Sequence, residues 1–457
     1  MPCVPTPRRP APRKDDVDRR RHATPTIALD RRRIDPAMSQ VFKSAWALLL
    51  GMLLLMIGNG FQGTLLGVRG EIEGFSTFEM SIIMSAYFAG FLGGSRMAPE
   101  MIRRVGHVRV FAALGSFISA VLILFPVLTD PVSWTIGRLI LGFCFSGVYV
   151  TAESWLNNAA SNENRGQALS LYMVTQTLGI IAAQGLLLTA DPSGFVLFVI
   201  PSVLVSISFA PILLSISPTP AFETTKRMTL REVMTVSPLG SVGMFLLGGV
   251  FAAQYGMAAV YGSMAGLGLA QISMFVAAFY VGATAAQFPL GWLSDRMDRR
   301  RLIMITALIG GLGAFVGMVV GTAFPLLVLA AVLVGGAANP LYSLLMAYTN
   351  DFLEHDEMAA ASAGMMFING VGAIFGPIIV GLIMETFGPP GYFGMICFLL
   401  MLLSAYALYR MTQRPAPNVE NNAPYAPVMP TSTSVAVEVA QEVSFEAQEE
   451  DDTDTAQ

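Results

Sequence analysis

Charge is scarce in this chain. Only 13% of its 457 residues are Asp, Glu, Lys or Arg, where a soluble domain carries about 25%. Histidine and cysteine are scarcer still, at three each. Cys3, Cys144 and Cys397 stand far apart, and two of them lie inside apolar runs, so they read as small buried hydrophobes. No His-Glu-x-x-His pair, phosphate-binding glycine loop, Gly-x-Gly-x-x-Gly after a strand, or Ser/His/Asp grouping occurs. These absences argue against a metal enzyme, an ATP-driven machine and a hydrolase. The chain reads as a non-enzyme with no cofactor, no metal and no nucleic-acid partner. Its first residues are polar and Arg-rich without an apolar core, unlike a cleavable signal peptide.

Apolar sequence is what the chain has in quantity. Apolar residues make up 54% of it and the mean hydropathy is +0.60. A helix crossing a bilayer needs about 20 mostly apolar residues. Twelve stretches qualify, at 44–68, 79–99, 108–128, 132–156, 166–189, 194–215, 238–261, 270–292, 302–322, 324–347, 359–382 and 391–410. The fold class is therefore an all-α polytopic membrane protein of twelve transmembrane helices. Basic residues fall on alternate loops: Arg96, Arg103, Arg104 and Arg109, then Lys226, Arg227 and Arg231, then Arg296, Arg299, Arg300 and Arg301. The opposite loops carry Glu71, Glu73, Asp130, Asp191 and Glu385, with Arg69 the exception. Positive charge stays inside, so both termini are expected in the cytoplasm of a bacterium, with the chain in the inner (plasma) membrane.

The halves repeat. Trp155-Leu156-Asn157-Asn158 matches Tyr348-Thr349-Asn350-Asp351, and at the same interval Gly179 matches Gly372. The expected organisation is a basic disordered segment (1–40), a six-helix bundle (41–216), a cytoplasmic linker (217–237), a second six-helix bundle (238–411) and a disordered acidic tail (412–457). Met38, just ahead of the first ordered segment, reads as an alternative start. The tail is rich in Pro, Ala, Thr and Glu and should stay solvated.

One loop carries a signature. Gly291-Trp292-Leu293-Ser294-Asp295-Arg296-Met297-Asp298-Arg299-Arg300-Arg301 sets six charges between two apolar runs. It closely resembles the loop motif of the major facilitator superfamily, a class of secondary transporters. That resemblance implies two pseudo-symmetric six-helix bundles with a substrate site between them near the midplane. It also implies a gating latch at Gly291, Asp295, Arg296, Arg299 and Arg300. A carboxylate facing arginines at helix ends can make breakable ion pairs, and the glycine lets helices approach. The first-half copy has Arg103 where Asp295 stands, with Arg104 opposite Arg296, so the latch should be asymmetric. Glu153 and Arg165 flank the next loop on that face, and relatives pair such residues across helix ends.

Within the spans, Gly137-Arg138-Leu139-Ile140-Leu141-Gly142 resembles the superfamily's fourth-helix motif. A charge inside the bilayer costs at least about 2.5–3.5 kcal/mol, so it faces a cavity or a partner. Arg138 either meets an anionic substrate group or serves as a structural arginine; the sequence leaves both open. The stripe Arg138, Gly142, Tyr149, Glu153 would face the centre. The resemblance makes helices one, four, seven and ten the cavity lining. Their polar residues are Asn59 and Gln62, then Tyr149, then Gln254 and Tyr255, then Asn339, Tyr342 and Ser343. Gln176, Gln184, Tyr280 and Gln287 are weaker candidates. Helix–helix hydrogen bonding is the competing role for each.

The first span has no interior Asp or Glu, and Gly179-Ile180-Ile181-Ala182-Ala183-Gln184-Gly185 is not the proline-containing antiporter motif. Glu153-Ser154-Trp155-Leu156-Asn157 with Asn164-Arg165-Gly166 is similar to the YcaD-like bacterial branch, a resemblance covering roughly residues 41–410 but neither tail. The expected function is secondary active transport of a small organic solute by alternating access, by a monomer in the bilayer. A proton or another ion would drive it. Efflux of amphipathic drugs by proton antiport is one alternative, and a non-cycling transporter-like sensor, signalling through the tail, is another.

Overall fold

The structure, a computed structural model, describes residues 36–159, 165–214, 228–321, 323–413 and 423–455. The expectations for residues 1–35 and for most of the linker fall outside them. Among the described residues all regular structure is helical. The first half runs α1 (Pro36–Ile72), α2 (Thr77–Val105), α3 (His107–Leu124), α4 (Pro131–Ala159), α5 (Arg165–Leu186) and α6 (Val196–Leu214). A short α7 (Leu230–Val236) follows. The second half opens with α8 (Pro238–Ala252) and α9 (Ala258–Met264), joined without a break by a π-helical turn (Ala253–Met257). It continues with α10 (Leu269–Ser294), α11 (Arg299–Val319), α12 (Phe324–Asn350), α13 (His355–Phe387) and α14 (Pro390–Gln413). Ten of these spans, counting α8, the π turn and α9 as one, are long and apolar enough to cross a membrane, and Val196–Pro211 is a shorter apolar helix. α2 has 29 residues and lies along α4.

Local sequence sets the ends. Ser76 and Glu79 form a capping box that starts α2, and Thr229 and Glu232 form another that starts α7. α7 thus puts a helical turn inside the region read as linker. Gly106, at φ +86°, reverses the chain between α2 and α3 where a side chain would be strained. The charged loops are shorter than the sequence suggests. Arg103 and Arg104 lie in the last turn of α2, and Arg299, Arg300 and Arg301 in the first turn of α11. The turn between α10 and α11 is only residues 295–298.

Glycines let helix pairs touch backbone to backbone, and they do so twice. In the first half a Cβ on Gly90 would stand 1.9 Å from the Leu139 carbonyl, and one on Gly142 the same from that of Tyr87. In the second half Gly282 meets the Val332 carbonyl and Gly335 that of Phe279, each at 2.1 Å. So α10 on α12 repeats α2 on α4. Gly179 against α1 and Gly372 against α8 repeat in the same way. The duplication visible in the sequence is a duplication of packing.

The halves meet along α2 and α13, α1 and α9, and α5 and α10. At one end of the bundle the seam is tight: a Cβ on Gly67 would fall 2.6 Å from that of Ala259, and one on Gly381 2.4 Å from that of Ser81. At the other end the seam is filled by chain from the C-terminal region. Residues 423–433 run there without helix, and α15 (Ser434–Thr455) follows. Within the tail expected to be disordered, residues 423–455 are thus described, and α15 is helical. Averaged composition hid a local run, Val435-Ala436-Val437-Glu438-Val439-Ala440, in which Ala436, Val437, Val439 and Ala440 are buried.

Candidate functional site

Several polar residues inside the spans gather in two sets, one in each half. α4 carries Arg138, which is 2% exposed. Its guanidinium donates to Gln62 Oε1 on α1, contacts Met84 Sδ on α2 at 3.2 Å, and lies 4.6 Å from the centre of the Tyr87 ring. Gln62 Nε2 in turn donates to Asn59 Oδ1 at 3.1 Å, as does the Tyr87 hydroxyl at 3.1 Å. Asn59 Nδ2 donates to the Tyr149 hydroxyl at 2.8 Å. One network therefore joins Arg138, Gln62, Asn59, Tyr149 and Tyr87 across three helices. No carboxylate pairs with Arg138 among the described ion pairs, and its Nε has no acceptor among the described residues. Gly142 lies off the network, packed on α2.

The second half contributes a smaller set. The π-helical turn holds Gln254 and Tyr255 one residue apart. Tyr255 and Asn339 of α12 bond reciprocally at 3.0 and 3.1 Å, and the Tyr255 ring stacks on Tyr280 of α10. Tyr342 packs its ring against Phe251. Gln254 is fully buried, yet neither end of its amide has a hydrogen-bond partner among the described residues. A buried amide without partners costs roughly 1–3 kcal/mol, and single π turns inside α-helices mark functional sites disproportionately. The two sets approach where the Tyr255 carbonyl lies 3.6 Å from the position a Cβ on Gly63 would take. The weaker candidates divide. Tyr280 joins this cluster, Gln184 donates to the Gly60 carbonyl as a plain helix–helix contact, and Gln176 and Gln287 meet the C-terminal segment.

The charged turn from which a latch is expected makes contacts other than those the motif suggests. Arg299 is buried and central: it pairs with Asp351 at the end of α12, reaches Asp295 Oδ1 at 3.3 Å, and donates to the Ala347 carbonyl at 3.2 Å. Asp351, whose side chain is 2% exposed, is a partner that the motif does not contain. Burial pushes its carboxyl up to about 6, while Arg299 pulls the other way. Arg300 pairs with Asp298 at 2.9 Å, and Arg296 lies over the Trp292 ring at 4.3 Å. Gly291 faces not a helix but the ring of Tyr425, which would stand 2.8 Å from a Cβ at that position. Arg103 and Arg104 both pair with exposed Glu100 on their own helix and reach no partner in the other half among the described pairs.

The expected Glu153–Arg165 pair is also replaced. Glu153, 3% exposed, accepts from the backbone N–H of Thr433 at 2.9 Å, from the Thr433 hydroxyl, and from Tyr172 at 3.3 Å. Arg165 pairs with Glu442 of α15 at 3.2 Å. Arg69, the exception on the opposite face, pairs with Glu73 and donates to the carbonyls of residues 192–194, which explains its place as a loop tie. Tyr87, Asp351, Tyr425 and Thr433 are the participants that sequence reasoning missed. Tyr87 was legible as a polar aromatic three residues before Gly90, on the face of α2 that meets α4.

Comparisons with known proteins agree with this architecture. The family model of the Major Facilitator Superfamily matches residues 3–184 and 241–441. The chain is 25% identical over 375 residues to an uncharacterised transporter of this superfamily, YcaD, of Salmonella heidelberg (strain SL476), covering 80% of this chain and 97% of that one. The YcaD of Salmonella arizonae is 26% identical over the same shares. Among solved structures, the nucleoside transporter NupG superposes with a TM-score of 0.63 at 14% identity, covering 81% of this chain and 98% of that one. A bacterial homologue of the human lysosomal transporter Spinster, in an inward-facing and unoccupied conformation, gives 0.61 at 14% identity, covering 90% and 98%. At these identities the structures speak to fold alone. With the family model spanning most of both halves, the duplicated helix packing and the charged turn after α10 have one source: the chain belongs to the Major Facilitator Superfamily, as a multi-pass membrane transporter.

Proposed function

We propose that the chain moves a small organic solute bearing an anionic group, by alternating access of its two halves around Arg138. The observation that carries this is a buried arginine with no carboxylate partner among the described residues, at the head of a polar network that faces the other half. An uncompensated charge at that depth is expensive unless an anion completes it for part of the cycle. Gln254, buried opposite the network with its amide unbonded, supplies unused hydrogen-bonding capacity for the rest of the solute. Asn59, Gln62 and Tyr149 orient Arg138, and Tyr255, Asn339 and Tyr342 form the opposite wall. Counting α2 and α6, twelve crossings leave both ends of the bundle chain on one face. The excess of arginine on that face makes it the cytoplasmic side of an inner membrane. There Arg299, Asp351 and Asp295 tie the ends of α10, α11 and α12 together as the latch. A proton or another ion gradient drives the cycle.

Drug efflux would call for a site that takes lipophilic cations, which a free arginine repels. The test is thermal unfolding of the purified full-length protein against a panel of carboxylates, phosphates and lipophilic cations, with Arg138→Ala alongside. A ligand at 100 times its Kd stabilises by about 2.7 kcal/mol. A carboxylate or phosphate that raises the Tm of wild type and not of Arg138→Ala is the expected result. Stabilisation by cations that survives the substitution would return Arg138 to the scaffold and favour efflux.

A further inference from the structure

The segment 423–433 and the start of α15 lie between the halves, and they touch both. On the second-half side the Ala423 N–H donates to Asp351 at 3.0 Å and its carbonyl accepts from Arg299. The Tyr425 N–H donates to Asp295 at 3.1 Å, its ring covers Gly291, and its hydroxyl accepts from Gln287 at 3.1 Å. Val428 is bonded at both its N–H and its carbonyl by the Ser343 hydroxyl, at 3.1 Å each. The chain then crosses to the first half. The Thr431 hydroxyl reaches Gln176 at 3.4 Å, and Thr433 gives two donors to Glu153. α15 continues with Arg165–Glu442 on one side and Gln441 donating to Ser362 of α13 at 3.0 Å on the other.

Three physical points make this a seat and not a chance contact. First, the buried carboxylate of Glu153 has no cation among the described ion pairs, and the two donors of Thr433, just ahead of α15, join Tyr172 in offsetting its desolvation. Negative charge at a helix N-terminus is favourable in its own right. Second, the backbone of an extended segment must find partners when buried, and here the side chains of Asp295, Arg299, Ser343 and Asp351 provide them. Third, Ser343 lies one helical turn beyond Asn339 on α12, so Val428 sits directly below the polar centre. The opposite end of the seam is closed by Gly67 on Ala259 and Gly381 on Ser81. The segment therefore fills the end of the seam that helix contacts leave open between the centre and water.

We infer that residues 423–446 are an intramolecular plug that occupies the open end of the transport pathway and holds the transporter idle until it withdraws. The inference rests on the transporter reading for its consequence, but not for its geometry. The plug competes with any solute entering from that end. It also bridges α4 and α5 to α10, α12 and α13, and so stops those ends from closing on each other. Its release must be matched by water entering to solvate Glu153 and Asp351, which makes the plugged and free states distinct.

The test uses inside-out membrane vesicles and the full chain with Cys3, Cys144 and Cys397 replaced by Ala. Ser362→Cys with Gln441→Cys places thiols where the present side chains touch, outside the solute site. A cysteine at Met346→Cys, beside Ala426 and Val428, in a companion chain, reports access to the pathway by a water-soluble maleimide. Oxidant is expected to form the 362–441 disulfide, and deletion of 422–457 or Thr433→Val is expected to raise Met346→Cys labelling by about tenfold. No disulfide, or equal labelling with the tail present and deleted, would overturn the plug. Neither readout needs flux. Should a solute be found, deletion raises its flux. A chain that labels as expected yet binds and moves nothing sinks the transport reading and leaves the plug standing.

Discussion

Arg299 and Asp351 show how one residue's surroundings decide what it does. The pair is buried, so its attraction works against desolvation, and removing one partner of such a pair costs about 3–5 kcal/mol. Asp351 sits just beyond the end of α12, where burial raises its carboxyl to about 6 from an ordinary 3.8. The sign follows from proton linkage. A group whose value is raised on folding binds its proton more tightly in the folded state. Its stabilising contribution is full below the unfolded value and is lost as pH rises through the folded one. Between neutral pH and about 4, wild type should therefore gain stability relative to Asp351→Asn, which does not titrate. Melting temperatures of both across that range measure it. The offset at neutral pH reports the loss of Arg299's buried partner, and the slope reports the proton. A difference that stays flat with pH would show that Asp351 remains ionised throughout. The sequence displayed Asp351 only as half of a repeat. Its partnership with Arg299 lies across a fold that brings the ends of α10, α11 and α12 together, and no spacing along one helix reveals that.

At the scale of elements, the contact between α2 and α4 depends on glycine. The Gly142 position leaves no room for a methyl against the Tyr87 carbonyl, whereas a Cβ at Gly185 meets nothing within 4 Å. Gly142→Ala should destabilise by about 1–3 kcal/mol through overpacking, and Gly185→Ala should be neutral or mildly stabilising, since alanine favours helix. Thermal unfolding of the two side by side checks this. A Gly142→Ala protein as stable as wild type would mean that the helices part freely. Apolar runs made the spans legible, because the bilayer sets their length. They did not reveal the ends of α2 and α11. A sequence rich in Arg reads as a loop, yet those arginines sit in the first or last helical turn: Arg103, Arg104 and Arg301 keep their heads near water, while Arg299 and Arg300 are buried in ion pairs. α15 was lost for the opposite reason. Its apolar face is short, and the acidic residues around it dominate any average. At the polar centre, the sequence shows which polar residues α1, α4 and the π turn carry, but which of them bond each other depends on helix rotation.

For the molecule as a whole, the two ends of the seam cannot both be closed by side chains and chain at once if solute is to pass. The tight end rests on small residues, Gly67 with Ala259 and Gly381 with Ser81, while the other end rests on the plug. Under the alternating access proposed above, the two ends are coupled: disfavouring contact at the first favours closure at the second, and the plug leaves for that to happen. Coupling of this kind is reciprocal. Gly381→Leu is the probe, because its side chain cannot share the space of Ser81. A cysteine at Ala259→Cys, buried in the second tight contact, reports the opening without touching the substituted one. In intact cells the Gly381→Leu chain should label at that cysteine about tenfold faster than its parent. In the same background, disulfide formation between Ser362→Cys and Gln441→Cys should slow, because the seat of α15 is narrowing. Faster labelling with unchanged disulfide formation would mean that the ends move independently, and the plug would then be a passive cover, not one arm of a rocking pair.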